Sequence, residues 1–217
     1  MIVNEANINI ANQLAALHKQ IDVCRLCTSM QGSSVHGPAV PSKIMLFGQA
    51  PGPHEAKFGK PFAWSAGKTL FRWFSTEVGI DEDAFRTNIY ITAVARCFPG
   101  KASGGGDRKP RPSEISACGR FVAREVEILE PELVIPVGTL AIEQVLGFKT
   151  ALVEVIGRQM RVTWHGRKVD IIPLPHPSGV SPWHKIEPGK ILLEKALALV
   201  AAHPAMRSIL QVANGPS

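Results

Sequence analysis

The chain has 217 residues, 45% of them hydrophobic and 19% charged, a balance that excludes an intrinsically disordered protein and allows one well-buried core. Lys and Arg number 24 against 18 Asp and Glu, for a net charge of +6; this admits a polyanionic partner without establishing one. The opening Met1-Ile-Val-Asn-Glu-Ala carries an acid and no basic leader, and no run is long and apolar enough to span a bilayer. The expectation is therefore a single domain over residues 1–217, cytoplasmic, off the membrane and monomeric. In that setting structural disulfides are disfavoured, so the four cysteines are metal ligands or unrelated core thiols.

In chain order, residues 9–22 have the apolar spacing of an amphipathic helix that delivers Cys24 and Cys27. A Gly/Pro/Ser-rich passage follows, from Gln31 to Ser42. Residues 43–47 (Lys-Ile-Met-Leu-Phe) then read as a buried strand ending in the turn Gly48-Gln-Ala-Pro-Gly52. Residues 66–78 predict a helix, and 89–95 a second strand that runs into Arg96-Cys97. From Phe98 to Pro112 lies a basic loop without a core of its own. Ser113 and Glu114 signal a helix to about Leu129, before Pro131. Residues 133–137 predict a third strand, with Gly138-Thr139 opening another helix. Val153 to Pro173 reads as a hairpin turning near His165-Gly166, whose second arm, 169–172, leads to Pro175-His176. Residues 189–202 predict the last helix. No internal repeat or interdomain linker interrupts this alternation.

Strands alternating with helices predict an α/β fold with a parallel sheet covered on both faces. Ligands of such sheets bind beyond the carboxyl ends of the strands. Gly48–Gly52, Ala93–Cys97, Gly138 and His176–Ser178 are thus expected to converge on one edge.

Three groups of residues carry chemistry. The Cys24-Arg-Leu-Cys27 pair puts two thiolates on one tight turn, with Cys97 at a strand end and Cys118 in the first turn of a helix as further ligands. Spacing alone leaves zinc, an iron–sulfur cluster, or an incidental pair beside two buried thiols open. The Gly48–Gly52 turn lets backbone amides approach a ligand, with Pro51 stiffening it. Glu55 follows, and Phe62 beside Pro61 offers a face for a flat heterocycle; its rival reading is a core residue. His176-Pro-Ser178-Gly179 ends a strand with a neutral imidazole able to donate to an oxygen gaining negative charge. Trp183, His184 and Lys185 share its loop and could meet a DNA backbone, wedge into a base stack, or stand merely exposed.

Together, Gly48-Gln-Ala-Pro-Gly52 with Glu55 and Pro61-Phe62, the four cysteines, and His176-Pro-Ser178 resemble the uracil-DNA glycosylase superfamily, nearest its iron–sulfur families 4 and 5. The likeness runs from about residue 13 to 200. It implies a three-layer α/β/α sandwich around a four-stranded parallel sheet and a [4Fe-4S] cluster on Cys24, Cys27, Cys97 and Cys118, of structural use. The reaction it implies is base excision: hydrolysis of the N-glycosidic bond of uracil, or a related deaminated base, flipped out of DNA. By the same resemblance Phe62 stacks the base and His176 steadies its departing O2. Gln49 and Ala50 meet the base and the attacking water, and Lys185 lies near a residue that grips the backbone. Substrate contacts are expected from Gly48, Ala50, Pro51, Gly52, Phe62, Ala93 and Ser178, and DNA contacts from Lys101, Arg108, Lys109, Arg111 and Lys185.

The chain departs from the family pattern in three places. Gln49 stands where family 4 has Glu, and an amide cannot deprotonate water, so Glu55 becomes the candidate base beside Gln49 and His176. Ala93 replaces the Asn that reads the uracil edge, as in family 5, which loosens base selectivity. Residues 98–117 hold no His, unlike a related branch that forms a covalent DNA adduct through one. The rivals are a nucleic-acid binder that kept the fold and cluster but lost the chemistry, and a zinc-stabilised hydrolase of small nucleotides.

Overall fold

The computed structural model describes residues 5–179 and 181–213; the opening Met1–Asn4, used above to judge the N-terminus, lies outside the described residues. Helix α1 (Glu5–Asp22) starts earlier than expected and buries Leu14, Leu17, His18 and Ile21, one face at helical spacing. Strand β1 (Ile44–Gly48) is buried throughout. A short helix α2 (Glu55–Phe58) precedes α3 (Ser65–Trp73), which widens into a π-helical turn, Phe74–Val78. Helix α4 (Glu82–Asn88) begins where the Asp81 side chain accepts from the Ala84 N–H at 2.8 Å, and leads into β2 (Tyr90–Ala93).

Helix α5 (Pro112–Leu129) has proline in its first turn, and Glu114 reaches back to the Arg111 N–H at 2.6 Å. Strand β3 (Leu133–Pro136) and helix α6 (Thr139–Leu146) follow. Helix α7 (Leu152–Val155) occupies the start of the expected hairpin, whose arms are β4 (Met160–Trp164) and β5 (Arg167–Ile171). The turn falls at His165 and Gly166, both with positive φ, 46° and 78°. Helices α8 (Gly189–Ala202) and α9 (Pro204–Ala213) end the described chain.

The sheet order is β2-β1-β3-β5-β4. The four strands β2, β1, β3 and β5 run parallel, as expected; β4 pairs antiparallel with β5 and adds a fifth, edge strand. A two-residue turn returns the chain beside itself, so the hairpin's first arm joins the same sheet. Alternate strand residues face opposite layers. Ile44, Leu46, Leu133 and Ile135 pack with α3, the π-helical turn, α4 and α8. Met45, Phe47, Val134 and Ile171 pack with α1, α5 and α6. This is the three-layer α/β/α sandwich. No described helix is long and apolar enough to cross a membrane.

A buried ionic knot fixes the end of β2. Arg96 and Glu125 have side chains only 2% and 0% exposed, paired at 2.6 Å. The Tyr90 hydroxyl (2.8 Å) and the Thr92 hydroxyl (2.9 Å) donate to the same carboxylate, and Arg96 also donates to the Ala93 carbonyl. His18 joins through the Tyr90 hydroxyl at 2.9 Å, and burial pulls its imidazole down to about 4. Removing one partner would leave the other charge buried and unpaired, which costs about 3–5 kcal/mol. The knot therefore holds α1, β2 and α5 in one register immediately before Cys97.

Candidate active site

The chain passes from β1 outward to β2, then through α5 crosses back past β1 to β3 on its other side, so the carboxyl ends of β1 and β3 flank the switch point at which such sheets bind ligands. Gly48 pairs with Ala93, and the N–H groups of Val94 and Ala95 continue onto the Gly48 and Gln49 carbonyls at 2.9 and 3.1 Å. Strand β2 ends at Ala93, two residues short of expectation, and these bonds tie the residues after it to the glycine turn. On the other side the Gly138 N–H donates to Leu174 at 2.9 Å, bringing His176 alongside. A cleft of about 860 Å³ opens here. Its lining includes Gly48, Gln49, Ala50, Pro51, Gly52, Glu55, Phe62, Ala93, His176 and Ser178, all of the expected catalytic and substrate-binding residues.

Phe62 forms one wall. A Cβ on Gly48 would lie 3.3 Å from its ring, so glycine there lets the ring cross the strand end. Its φ of 54° is a region that a bulky residue enters only when held. Three contacts hold it. The Glu55 carboxylate accepts from both the Gly52 and Phe62 N–H groups. Arg86 donates to the Pro61 and Phe62 carbonyls at 2.9 and 3.1 Å. Helix α3 then approaches so closely that a Cβ on Gly67 would fall 1.7 Å from the Phe62 carbonyl oxygen. Burial pushes the Glu55 carboxyl up, opposed by the backbone amides of Gly52, Phe62 and Ala63. Its oxygens are thus committed to the loop, and they brace Phe62.

His176 packs on Gly138, where a Cβ would lie 3.2 Å from the ring. Burial lowers its pKa, so it is neutral at pH 7; the negative charge of Asp107 opposes that shift, and His184 adds to it. The Ser178 N–H donates to Nδ1 at 3.2 Å. An accepting Nδ1 places the proton on Nε2, so the ring presents an N–H donor to the cleft.

Asp107 lines the same cleft and escaped the sequence reading. It rises from the basic loop after Gly104-Gly-Gly106, and Gly105 and Gly106, both at positive φ, line the cleft with it. Its Oδ2 lies 3.7 Å from where a Cβ on Gly52 would stand, and Lys101 pairs with Oδ1 at 2.6 Å. The signal was present: one acid among four cations, behind three glycines able to fold the loop back.

The expected DNA-binding residues divide. Lys101, Lys109, Arg111 and Lys185 are exposed, and Lys101 reaches the cleft. Arg108 instead donates to both Glu114 oxygens at 2.7 and 2.6 Å, holding that carboxyl down to about 2. Ser29 donates to Glu114 too, at 2.6 Å, so this ion pair clamps the basic loop to the Cys27 segment. Of the Trp183–Lys185 trio only Lys185 is exposed. Trp183 packs on the core and His184 sits buried, edge-on to Trp73 with centroids 5.1 Å apart, so neither serves as a wedge.

The four cysteines lie near enough for their charges to act on one another. Burial pushes the Cys97 thiol up to about 11, and Cys118, Cys24 and Cys27 add to the shift. Cys27 is raised by burial, then by Cys118, Glu114 and Cys24. The Gln31 N–H bonds the Phe98 carbonyl at 2.7 Å, tying the two cysteine segments together. Because α5 starts at Pro112, Cys118 stands in its second turn and not, as expected, in its first. Each thiolate opposes the next, so only a cationic centre can hold all four deprotonated. Among the described residues no three His, Cys, Asp or Glu side chains are grouped to hold a metal ion. Four thiols whose charges act on one another are a donor set of the kind a metal centre requires.

Comparison with known proteins gives the same direction. Residues 35–201 match the Uracil DNA glycosylase superfamily. The type-4 uracil-DNA glycosylase of Archaeoglobus fulgidus is 30% identical over 169 residues, 75% of this chain and 80% of its own. That of Thermotoga maritima is 30% identical over 177 residues, covering 81% and 85%. A type-5 enzyme from Thermus thermophilus is 31% identical over 115 residues, covering 48% and 50%. On this match, over most of its length, the chain belongs to the uracil-DNA glycosylase superfamily.

Proposed function

We propose that the cleft excises uracil, or a related deaminated base, from DNA by hydrolysis of its N-glycosidic bond. The observation that carries this is the neutral His176, whose Nδ1 accepts from the Ser178 N–H and whose Nε2–H is left to the cleft beside Phe62 and the glycine turn. A flipped base stacks on Phe62, and backbone amides of Gln49 and Ala50 orient it. As the bond from C1′ to the base nitrogen breaks, its electron pair passes to the base, and Nε2–H of His176 meets the charge growing on oxygen. Water adds to the oxocarbenium-like C1′, giving free base and an abasic site. Gln49 positions that water, and Asp107 takes its proton while its charge faces the cationic sugar. Glu55, tied to two backbone amides, braces Phe62.

Cys24, Cys27, Cys97 and Cys118 would hold a [4Fe-4S] cluster whose role is structural cross-linking. These residues join the N-terminal segment, the end of β2 and α5 beside the cleft, so Lys101, Lys109 and Arg111 face the phosphates together with Lys185. Ala93 offers the cleft no amide, and its carbonyl is taken by Arg96, so base selectivity rests on Gln49 and backbone groups.

The test uses purified protein and oligonucleotides carrying one uracil, single- and double-stranded, followed by alkaline cleavage. Breaks at uracil alone support the reading; binding without breaks would replace it with a non-catalytic binder. Visible absorbance with iron and sulfide near four each per chain supports the cluster, and a colourless zinc protein refutes it.

A further inference from the structure

The lip of the cleft carries an aromatic stack that the proposed chemistry leaves unused. His54 and Phe58 stand one turn apart at the two ends of α2, and Trp64, just before α3, packs against both. Its ring centroid lies 4.6 Å from that of His54, at 33°, and 5.8 Å from that of Phe58, at 20°. Phe58 and Trp64 are nevertheless each 48% exposed. His54 and Trp64 also line the cleft, so the stack continues the pocket wall outwards from Phe62. Residues 56–76 hold Lys57, Lys60, Lys68 and Arg72 and no acid, and the three lysines are exposed.

We propose that His54, Phe58 and Trp64 form a platform for the unpaired bases of single-stranded DNA that adjoin the flipped nucleotide. The proposal rests on the DNA reading of the cleft. Half-exposed aromatic faces among cations are the combination that binds single strands without sequence preference, because every base has a face to stack while the cations follow the phosphates. A paired neighbour keeps its faces inside the duplex and cannot lie on these rings. The platform therefore favours single-stranded over double-stranded substrate, a preference that the pocket chemistry alone does not set.

The experiment measures fluorescence anisotropy of a uracil-free oligothymidylate, alone and annealed to its complement, with wild type, Phe58→Ala, Trp64→Ala and Trp64→Phe. The alanine variants should bind the single strand about five- to a hundredfold more weakly, the loss seen when one base-stacking aromatic is removed. Duplex affinity should stay at the wild-type value, and Trp64→Phe should retain most single-strand affinity. Unchanged single-strand binding, or equal losses on both forms, overturns the platform. So does dissociation of a dimer at constant DNA affinity, which would make the patch a self-association face. Uracil excision by the wild type is run in parallel. Excision with unaltered binding in the variants removes the platform alone; selective loss of binding without excision leaves the platform and removes the glycosylase reading.

Discussion

Two carboxylates line the cleft, and their surroundings assign them different work, which Asp107→Asn and Glu55→Gln separate. Asp107 is held by one ion pair, to Lys101, with side chains 38% and 61% exposed. Such a pair contributes about 0–1 kcal/mol, and a chain of this size shifts its Tm by about 2–4 °C per kcal/mol. Asp107→Asn should therefore lower the Tm by less than about 4 °C, while removal of a general base lowers the single-turnover excision rate by about a hundredfold to ten-thousandfold. Glu55 is half-buried and accepts from two backbone N–H groups. A glutamine there can satisfy one amide but turns its own NH₂ towards the other, costing about 2–3 kcal/mol for a lost charge-assisted bond and an unpaired donor. That corresponds to a Tm lower by roughly 4–12 °C, with excision weakened chiefly through KM as Phe62 loosens. The assay is single-turnover excision of one uracil from a labelled oligonucleotide over a range of enzyme concentrations up to saturation, beside a thermal melt of each variant. A near-wild-type rate for Asp107→Asn together with a large rate loss and unchanged Tm for Glu55→Gln would reverse the assignment.

Three further outcomes follow from the same geometry. His176→Ala should lower the excision rate by about a hundred- to a thousandfold, the scale of one lost oxyanion donor; in the wild type, burial holds the imidazole below its ordinary 6.5, so the rate should stay level as pH falls through 6.5 and decline only below it, where protonation takes Nδ1 from the Ser178 N–H. Gly67→Ala would put a methyl 1.7 Å from the Phe62 carbonyl oxygen, so a thermal melt should show roughly 1–3 kcal/mol of destabilisation from overpacking, and KM for uracil-DNA should rise. Glu114 is held at about 2 by Arg108, below its ordinary 4.5, so it contributes stability that is complete above pH 4.5 and lost as pH falls through 2; urea melts should show Glu114→Gln weaker than wild type at pH 7, with the gap closing as pH approaches 2.

What the sequence made legible was local. The alternation of apolar runs with helical periodicity announced the parallel sheet, and Gly48–Gly52 announced a ligand-approaching turn, because glycine and proline act on the backbone where they stand. His165-Gly166 marked the hairpin turn for the same reason, although whether its first arm would add a fifth strand depended on pairing with β5. Short helices such as α2 and α7 were missed, since four residues carry too little periodicity to register.

The site's division of labour was hidden for a different reason: it is settled by contacts between segments far apart in the chain. Glu55 looked like a base because its side chain can be one. What commits it to the loop is the left-handed Phe62, and that conformation exists because Arg86, 24 residues further on, and the bare Cα of Gly67 crowd it from the other side. Asp107 looked like a stray acid in a phosphate-binding run, and Arg108 beside it like a phosphate contact. The fold exchanges those roles. Glu114 draws Arg108 inward, and the glycines at 104–106 carry Asp107 over the cleft. An acid missing from the glycine turn at Gln49 is thus answered from the loop between the cysteines. The ion pair of Arg108 with Glu114 anchors that loop beside the Cys27 segment, and a cluster held at Cys97 and Cys118, as proposed, would anchor its two ends as well.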